Sequence, residues 1–73
     1  MSAPATTNKL TKADTVALWH AVDAMVCQLR AMSDLNREEP GKFTPELCAA
    51  EQERLLAAKR ALRKVNAIRK AQP

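Results

Sequence analysis

The chain has very little of what β-structure and tight turns require. It contains one glycine, no tyrosine, and only two aromatic residues, Trp19 and Phe43. Few of its residues are β-branched, so strands and hairpin turns have little to be built from. A chain with one glycine also has no glycine-rich phosphate-binding loop. The sequence therefore predicts an all-α fold, and its 73 residues allow one domain at most.

Long hydrophobic runs are absent as well. Residues 1–9 are small and polar and include a proline, a composition typical of a disordered arm. They lack the apolar core of a signal peptide, and no segment approaches the roughly 18 apolar residues of a membrane span. These absences predict a cytoplasmic protein without a membrane partner. Two cysteines in such a protein are expected to be reduced thiols.

A first amphipathic helix is indicated from residue 11 onward. Thr11 followed by Asp14 is an N-capping signal, and Pro40 with Gly41 ends the helical pattern. Between them, apolar residues recur at alternating spacings of four and three, which places them on one stripe of a helix. The stripe consists of Leu18, Val22, Met25, Leu29 and Met32. We therefore expect a helix over 11–38 and a loop over 39–44.

A second helix is expected over 45–71. Thr44 suits the N-cap, and Pro45 suits the first helical position, where the missing N–H costs nothing. The terminal Ala-Gln-Pro is expected to fray. The apolar stripe of this helix consists of Leu47, Leu55, Ala58, Leu62 and Val65.

Two helices joined by a short loop pack antiparallel, so residues 10–72 should form a helical hairpin. If the helices lie side by side, positions whose numbers sum to about 83 or 84 face each other. In that register Cys27 and Cys48 are about 12 Å apart along the helix axes, whereas a disulfide needs α-carbons within about 7 Å. No intrachain disulfide is expected. A lone hairpin leaves apolar flanks exposed, which favours either pairing with a second hairpin or docking on a target.

Charge is segregated along the chain. Residues 1–44 hold five basic and five acidic residues, but from Arg54 to the end there are seven basic residues and no acid. Such a segment suggests a surface for a polyanion, either a nucleic acid or an acidic protein patch. The alternative is an ordinary solvated helix face with cations that complement the helix dipole. The residues predicted to lie opposite the apolar stripe are Lys59, Arg60, Arg63, Lys64, Arg69 and Lys70.

Trp19 and Val26 lie to one side of the first apolar stripe. Trp19 either covers an edge of the helix contact or, together with Val26, anchors an interface. His20, Asp23 and Cys27 share another helical face, but they lack a fourth metal ligand, and residues of one helix do not enclose a substrate pocket. We therefore expect no enzyme activity, no bound metal and no cofactor.

The chain resembles the small phage-encoded transcription regulators that bind host RNA polymerase, among them inhibitors and antiterminators of lytic siphophages. The resemblance covers the whole chain: a short arm, a Thr11-capped amphipathic helix, the Phe43-Thr44-Pro45-Glu46 entry and a final helix rich in arginine and lysine. It implies docking on the large subunits of the polymerase near the RNA exit channel, weaker sigma-factor association, and elongation through terminators. It assigns no contact residue.

Two other functions are compatible with the same residues. A protein that binds RNA or DNA without sequence preference would use the basic face directly. A homodimeric adaptor would pair two hairpins in a four-helix bundle.

Overall fold

The computed structural model describes residues 9–73 and consists of two helices in antiparallel contact. Helix α1 spans Lys12–Glu38 and helix α2 spans Pro45–Ala71. All regular structure in this part of the chain is α-helical, which confirms the predicted all-α hairpin. The arm expected over residues 1–9 lies outside the described residues except for Lys9, which is exposed.

Local signals in the sequence set the helix ends. The Thr11 hydroxyl accepts a hydrogen bond from the Asp14 N–H at 3.2 Å, and the Asp14 carboxylate accepts one from the Thr11 N–H at 2.8 Å. This reciprocal pair satisfies two N–H groups that a helix start leaves free. Thr11 is thus the cap, and α1 begins one residue later than the predicted range. At α2 the Thr44 hydroxyl accepts from the Leu47 N–H at 3.1 Å, with Pro45 next to it as expected.

The loop between the helices is held by backbone and side-chain hydrogen bonds. The Lys42 N–H donates to the Glu39 carbonyl at 3.0 Å, and Gly41 adopts a positive φ of 88°, a conformation that costs glycine little. The Phe43 N–H donates to the Asn36 side-chain oxygen at 3.1 Å. Asn36 therefore ties the loop back to the last turns of α1.

The far end of the hairpin is closed by Gln72. Its side-chain amide donates to the Leu10 carbonyl at 2.7 Å, and its side-chain oxygen accepts from the Leu10 N–H at 2.9 Å. The expectation that the terminal Ala-Gln-Pro frays is therefore wrong for Gln72, which is half-buried. Residues 10 and 72 lie side by side, as the predicted antiparallel register requires.

The core between the helices is small. The only apolar residues counted as buried in the described chain are Met32 and Leu55, each about 8% exposed, and no side chain is fully enclosed. Thr15 is equally buried and satisfies its hydroxyl by donating to the Lys12 carbonyl at 2.8 Å. The other residues of the predicted stripes are half-buried or exposed. The two cysteines are free thiols, in agreement with the predicted register.

Replacing Gln72 by Ala should lower the free energy of unfolding by about 1 to 2 kcal/mol, because two partly buried hydrogen bonds to Leu10 are lost. Urea denaturation followed by circular dichroism at fixed protein concentration measures this loss. Gln52→Ala is the matched control, since Gln52 is exposed on α2. Equal stability of the two variants would show that the Gln72 contact contributes nothing in solution.

Candidate functional site

Five cations form an exposed surface on the C-terminal half of α2. This cationic surface consists of Lys59, Arg60, Arg63, Lys64 and Lys70, all of which are exposed. The ion pairs formed within residues 9–73 involve other cations: Arg37 with Asp34 at 3.7 Å, Lys42 with Glu39 at 3.8 Å, and Arg54 with Glu51 at 2.8 Å. The five positive charges are thus not neutralised by the described part of the chain.

Arg69, the sixth predicted member, does not belong to this surface. It is half-buried, its guanidinium donates to the Asn66 side-chain oxygen at 3.1 Å, and its Nε is buried without a hydrogen-bond partner. The reason is helical geometry, because Arg69 follows Leu62 by seven residues and so lies on the same stripe. That spacing was visible in the sequence, and the prediction that Arg69 faces away from α1 was wrong.

Trp19 lies on the surface. It is 55% exposed, and its ring packs edge-on against His20 with centroids 5.3 Å apart. It lines a groove of about 260 Å³ between the helices together with Thr15 and Val16 of α1 and with Asn66 and Arg69 of α2. Lys12 and Leu62 complete the lining of this Trp19 groove. Val26, the other predicted anchor residue, is half-buried.

Part of the cationic surface borders the Trp19 groove. Lys59, Arg63 and Lys70 are separated from Asn66 by seven, three and four residues, so they lie on the same side of α2 as Asn66. An aromatic ring and several cations therefore share one side of the hairpin. This combination is absent from the sequence-based prediction, because it depends on how the two helices are placed against each other.

The opposite side of the hairpin is apolar. A groove of about 220 Å³ runs along it and is lined only by aliphatic side chains and methionine. We call this side the apolar face; its groove residues are Leu18, Ala21, Val22, Met25, Ala58, Ala61, Leu62 and Val65. Leu35, Leu47 and Ile68 extend the face, because they are separated from Ala21 or Ala61 by multiples of seven residues. Each of these three side chains is more than 40% exposed.

No cluster of three or more potential metal ligands occurs within residues 9–73. His20 contacts Trp19, and Cys27 is exposed. Neither helix is long and apolar enough in the described region to cross a membrane.

Comparison with known proteins gives no relative. No family model matches the chain, and neither a curated protein nor a solved structure is significantly similar to it.

Because Trp19 is the only tryptophan, its fluorescence reports on this side of the hairpin alone. The emission maximum of the isolated protein should lie close to that of free tryptophan, and acrylamide should quench it efficiently, since more than half of the side chain contacts solvent. A blue-shifted, poorly quenched emission would show that Trp19 is buried in solution.

Proposed function

We propose that this protein is a small non-catalytic regulator that binds a host protein complex carrying nucleic acid, with bacterial RNA polymerase as the first candidate. In this proposal it acts in the host cytoplasm, where it docks on the large subunits of the polymerase. Docking inhibits initiation, promotes passage through terminators, or does both. The polymerase and these effects come from the resemblance to phage regulators, whereas the polyanion partner comes from the cationic surface.

The observation that carries the proposal is the cationic surface, which contains no acidic residue and forms no ion pair within residues 9–73; its nearest acid on α2, Glu53, borders it beside Arg60. The helix dipole acts only over the last turn, so it accounts for Lys70 but not for Lys59 or Arg60, which lie in the middle of α2. An indifferent solvated face normally mixes both signs of charge. A partner that supplies negative charge explains the whole set.

The partner is tested by affinity purification of the tagged protein from a bacterial lysate, with and without nuclease. Core RNA polymerase should be retained after nuclease treatment, and the purified complex should show altered promoter initiation or terminator passage in transcription assays. Recovery of nucleic acid alone, with nuclease removing every protein, would contradict a protein target.

Charge reversal of Lys59, Arg60, Arg63 and Lys64 to Glu should abolish retention of the partner while preserving helicity. A control matched in net charge reverses Lys9, Arg30, Arg37 and Lys42, all exposed, and gives the same net charge of −4 from the original +4, because each reversal removes two charges. Since it also breaks the Arg37–Asp34 and Lys42–Glu39 ion pairs, circular dichroism must show that this variant keeps its helicity as well. The control should retain most of the binding. Equal losses in both variants would indicate that net charge matters and the cationic surface does not.

Direct binding to single-stranded nucleic acid is the second candidate, and the Trp19 groove favours it. Bases stack on exposed aromatic rings while cations contact phosphates, an arrangement that binds single strands without sequence preference. Trp19 offers the ring, and Lys59, Arg63 and Lys70 on the same side of the hairpin offer the cations. The base-reading types of side chain in the groove, Asn66 and Arg69, are hydrogen-bonded to each other at 3.1 Å, so sequence specificity is not expected.

For this second candidate, binding of a labelled oligothymidylate should weaken steeply with salt. If all five cations of the surface contact phosphates, a plot of log Kobs against log salt has a slope of about −3.5. Fluorescence anisotropy measures the slope, and quenching of Trp19 reports stacking. Trp19→Leu should weaken binding without changing the slope, whereas absence of binding at low salt would exclude this function.

A further inference from the structure

The hairpin buries too little apolar surface to account for its own stability. Two long helices contact each other along one seam, and among residues 9–73 the only apolar side chains buried in it are those of Met32 and Leu55. Helices in proteins gain most of their stability from the packing of an apolar stripe, and domains of this size usually need a staple or a partner. The described residues provide no disulfide and no metal site as a staple. The remaining apolar side chains therefore need a partner surface.

The apolar face is the side on which a partner completes the core. Its groove is open to solvent between the two helices, and Leu18, Leu35, Leu47 and Ile68 stand exposed around it, at 41%, 41%, 43% and 57% of their full accessibility. The small residues Ala21, Ala58 and Ala61 in the groove allow another helix to approach closely, because helix separation depends on the side chains at the contact.

Charge distribution favours a second copy of the same chain as the occupant. Two molecules of net charge +4 associate only if their cations stay apart, and none of the five cations of the cationic surface lines the apolar groove. The charged residues in the helical rows of Ala21 and Ala61 are Asp14 and Arg54, seven residues before each. Asp14 is engaged in the cap of α1, and Arg54 pairs with Glu51 at 2.8 Å. Lys64, three residues after Ala61 and four before Ile68, lies at the edge of the face without lining the groove.

The opposite side of the hairpin does not meet this condition. Lys12 and Arg69 line the Trp19 groove, and cations of α2 border it. A two-fold contact there would place like charges against each other, which costs free energy. The Trp19 side therefore disfavours contact with a second copy of the chain, whereas the apolar face favours it.

The side of the hairpin that carries the apolar face is large enough for a stable dimer. Each helix of 27 residues is about 40 Å long, and two helices side by side are about 20 Å wide, so one whole side, with the apolar face and the polar residues around it, covers about 800 Å². A standard stable interface buries about 800 Å² on each partner. A face-to-face pair of hairpins thus reaches the usual size when the apolar face forms the centre of the contact and the surrounding polar residues form its rim.

We infer that two copies of this chain associate through the apolar face into an antiparallel four-helix bundle. The association leaves both Trp19 grooves, with Lys59, Arg63 and Lys70 beside each, on the outside of the bundle and on opposite sides, and it places Lys64 at the rim of the interface. This inference goes beyond the proposed function and does not depend on it, because the dimer forms whether or not the exposed sides bind a polyanion.

Sedimentation equilibrium of the full chain at micromolar concentration tests the dimer directly. The expected mass is about 16 kDa, twice the 8.0 kDa of one chain. The thermal midpoint should also rise with protein concentration, as it does when folding is linked to association. A monomer mass over the whole concentration range, with full helicity, would overturn the inference.

A pair of matched variants tests whether the apolar face is the dimer interface. Ala61→Glu places a charge in the apolar groove and should raise the dimer dissociation constant about tenfold or more, because a carboxylate is then desolvated on each side. Ala67→Glu makes the same change at an exposed alanine of α2 outside the groove and should leave the constant unchanged. Ala21→Glu places the charge on α1 in the same groove and should reproduce the effect of Ala61→Glu.

Two results would show that the apolar face is not the interface even if a dimer forms. One is an equal effect of Ala61→Glu and Ala67→Glu on the dissociation constant. The other is a blue shift of Trp19 emission on going from monomer to dimer, since the apolar-face dimer leaves Trp19 exposed. Unchanged Trp19 emission together with a selective effect of Ala61→Glu and Ala21→Glu supports the inference.

Discussion

A two-helix hairpin has a single seam, and this constraint determines the rest of the molecule. Only side chains that point from one helix toward the other can leave water, and here the buried apolar residues of the described chain are Met32 and Leu55. Every other large apolar side chain between residues 9 and 73 is at least partly exposed. The seam is therefore extended at its ends by polar contacts, with Asn36 holding the loop and Gln72 holding Leu10. Hydrogen bonds fix the register that a larger core would otherwise fix.

The helices and their ends were predictable because their causes are local. The Thr11 cap and the Pro45 start depend on residues within one turn, and the antiparallel pairing follows from the short loop around Gly41. The side chains that the prediction placed wrongly, Arg69 and Gln72, are those whose positions depend on the opposite helix. The charge of Arg69 and the terminal position of Gln72 suggested exposure to solvent. Helical spacing brings Arg69 to the seam, and the antiparallel register brings Gln72 there.

Helical spacing alone does not determine whether Trp19 is buried or exposed. The period of α1 places this residue beside the apolar stripe, which is compatible both with coverage by α2 and with an open groove. Which of the two occurs depends on the side chains opposite, and there α2 presents Asn66 and Arg69 with a single large apolar residue, Leu62. On the Trp19 side of the seam, α2 thus contributes polar and basic residues. On the other side, aliphatic residues and methionine line the groove.

The cationic surface carries a cost in helix stability. Lys59 and Arg63, and likewise Arg60 and Lys64, are separated by four residues on α2. Like charges at this spacing destabilise a helix by about 0.2 to 0.5 kcal/mol per pair. A hairpin with a core of two buried apolar residues has little stability to spare, and one glutamate in place of either lysine would turn repulsion into attraction. Retaining the repulsion is reasonable when a bound polyanion removes it, and when stability comes from association through the apolar face.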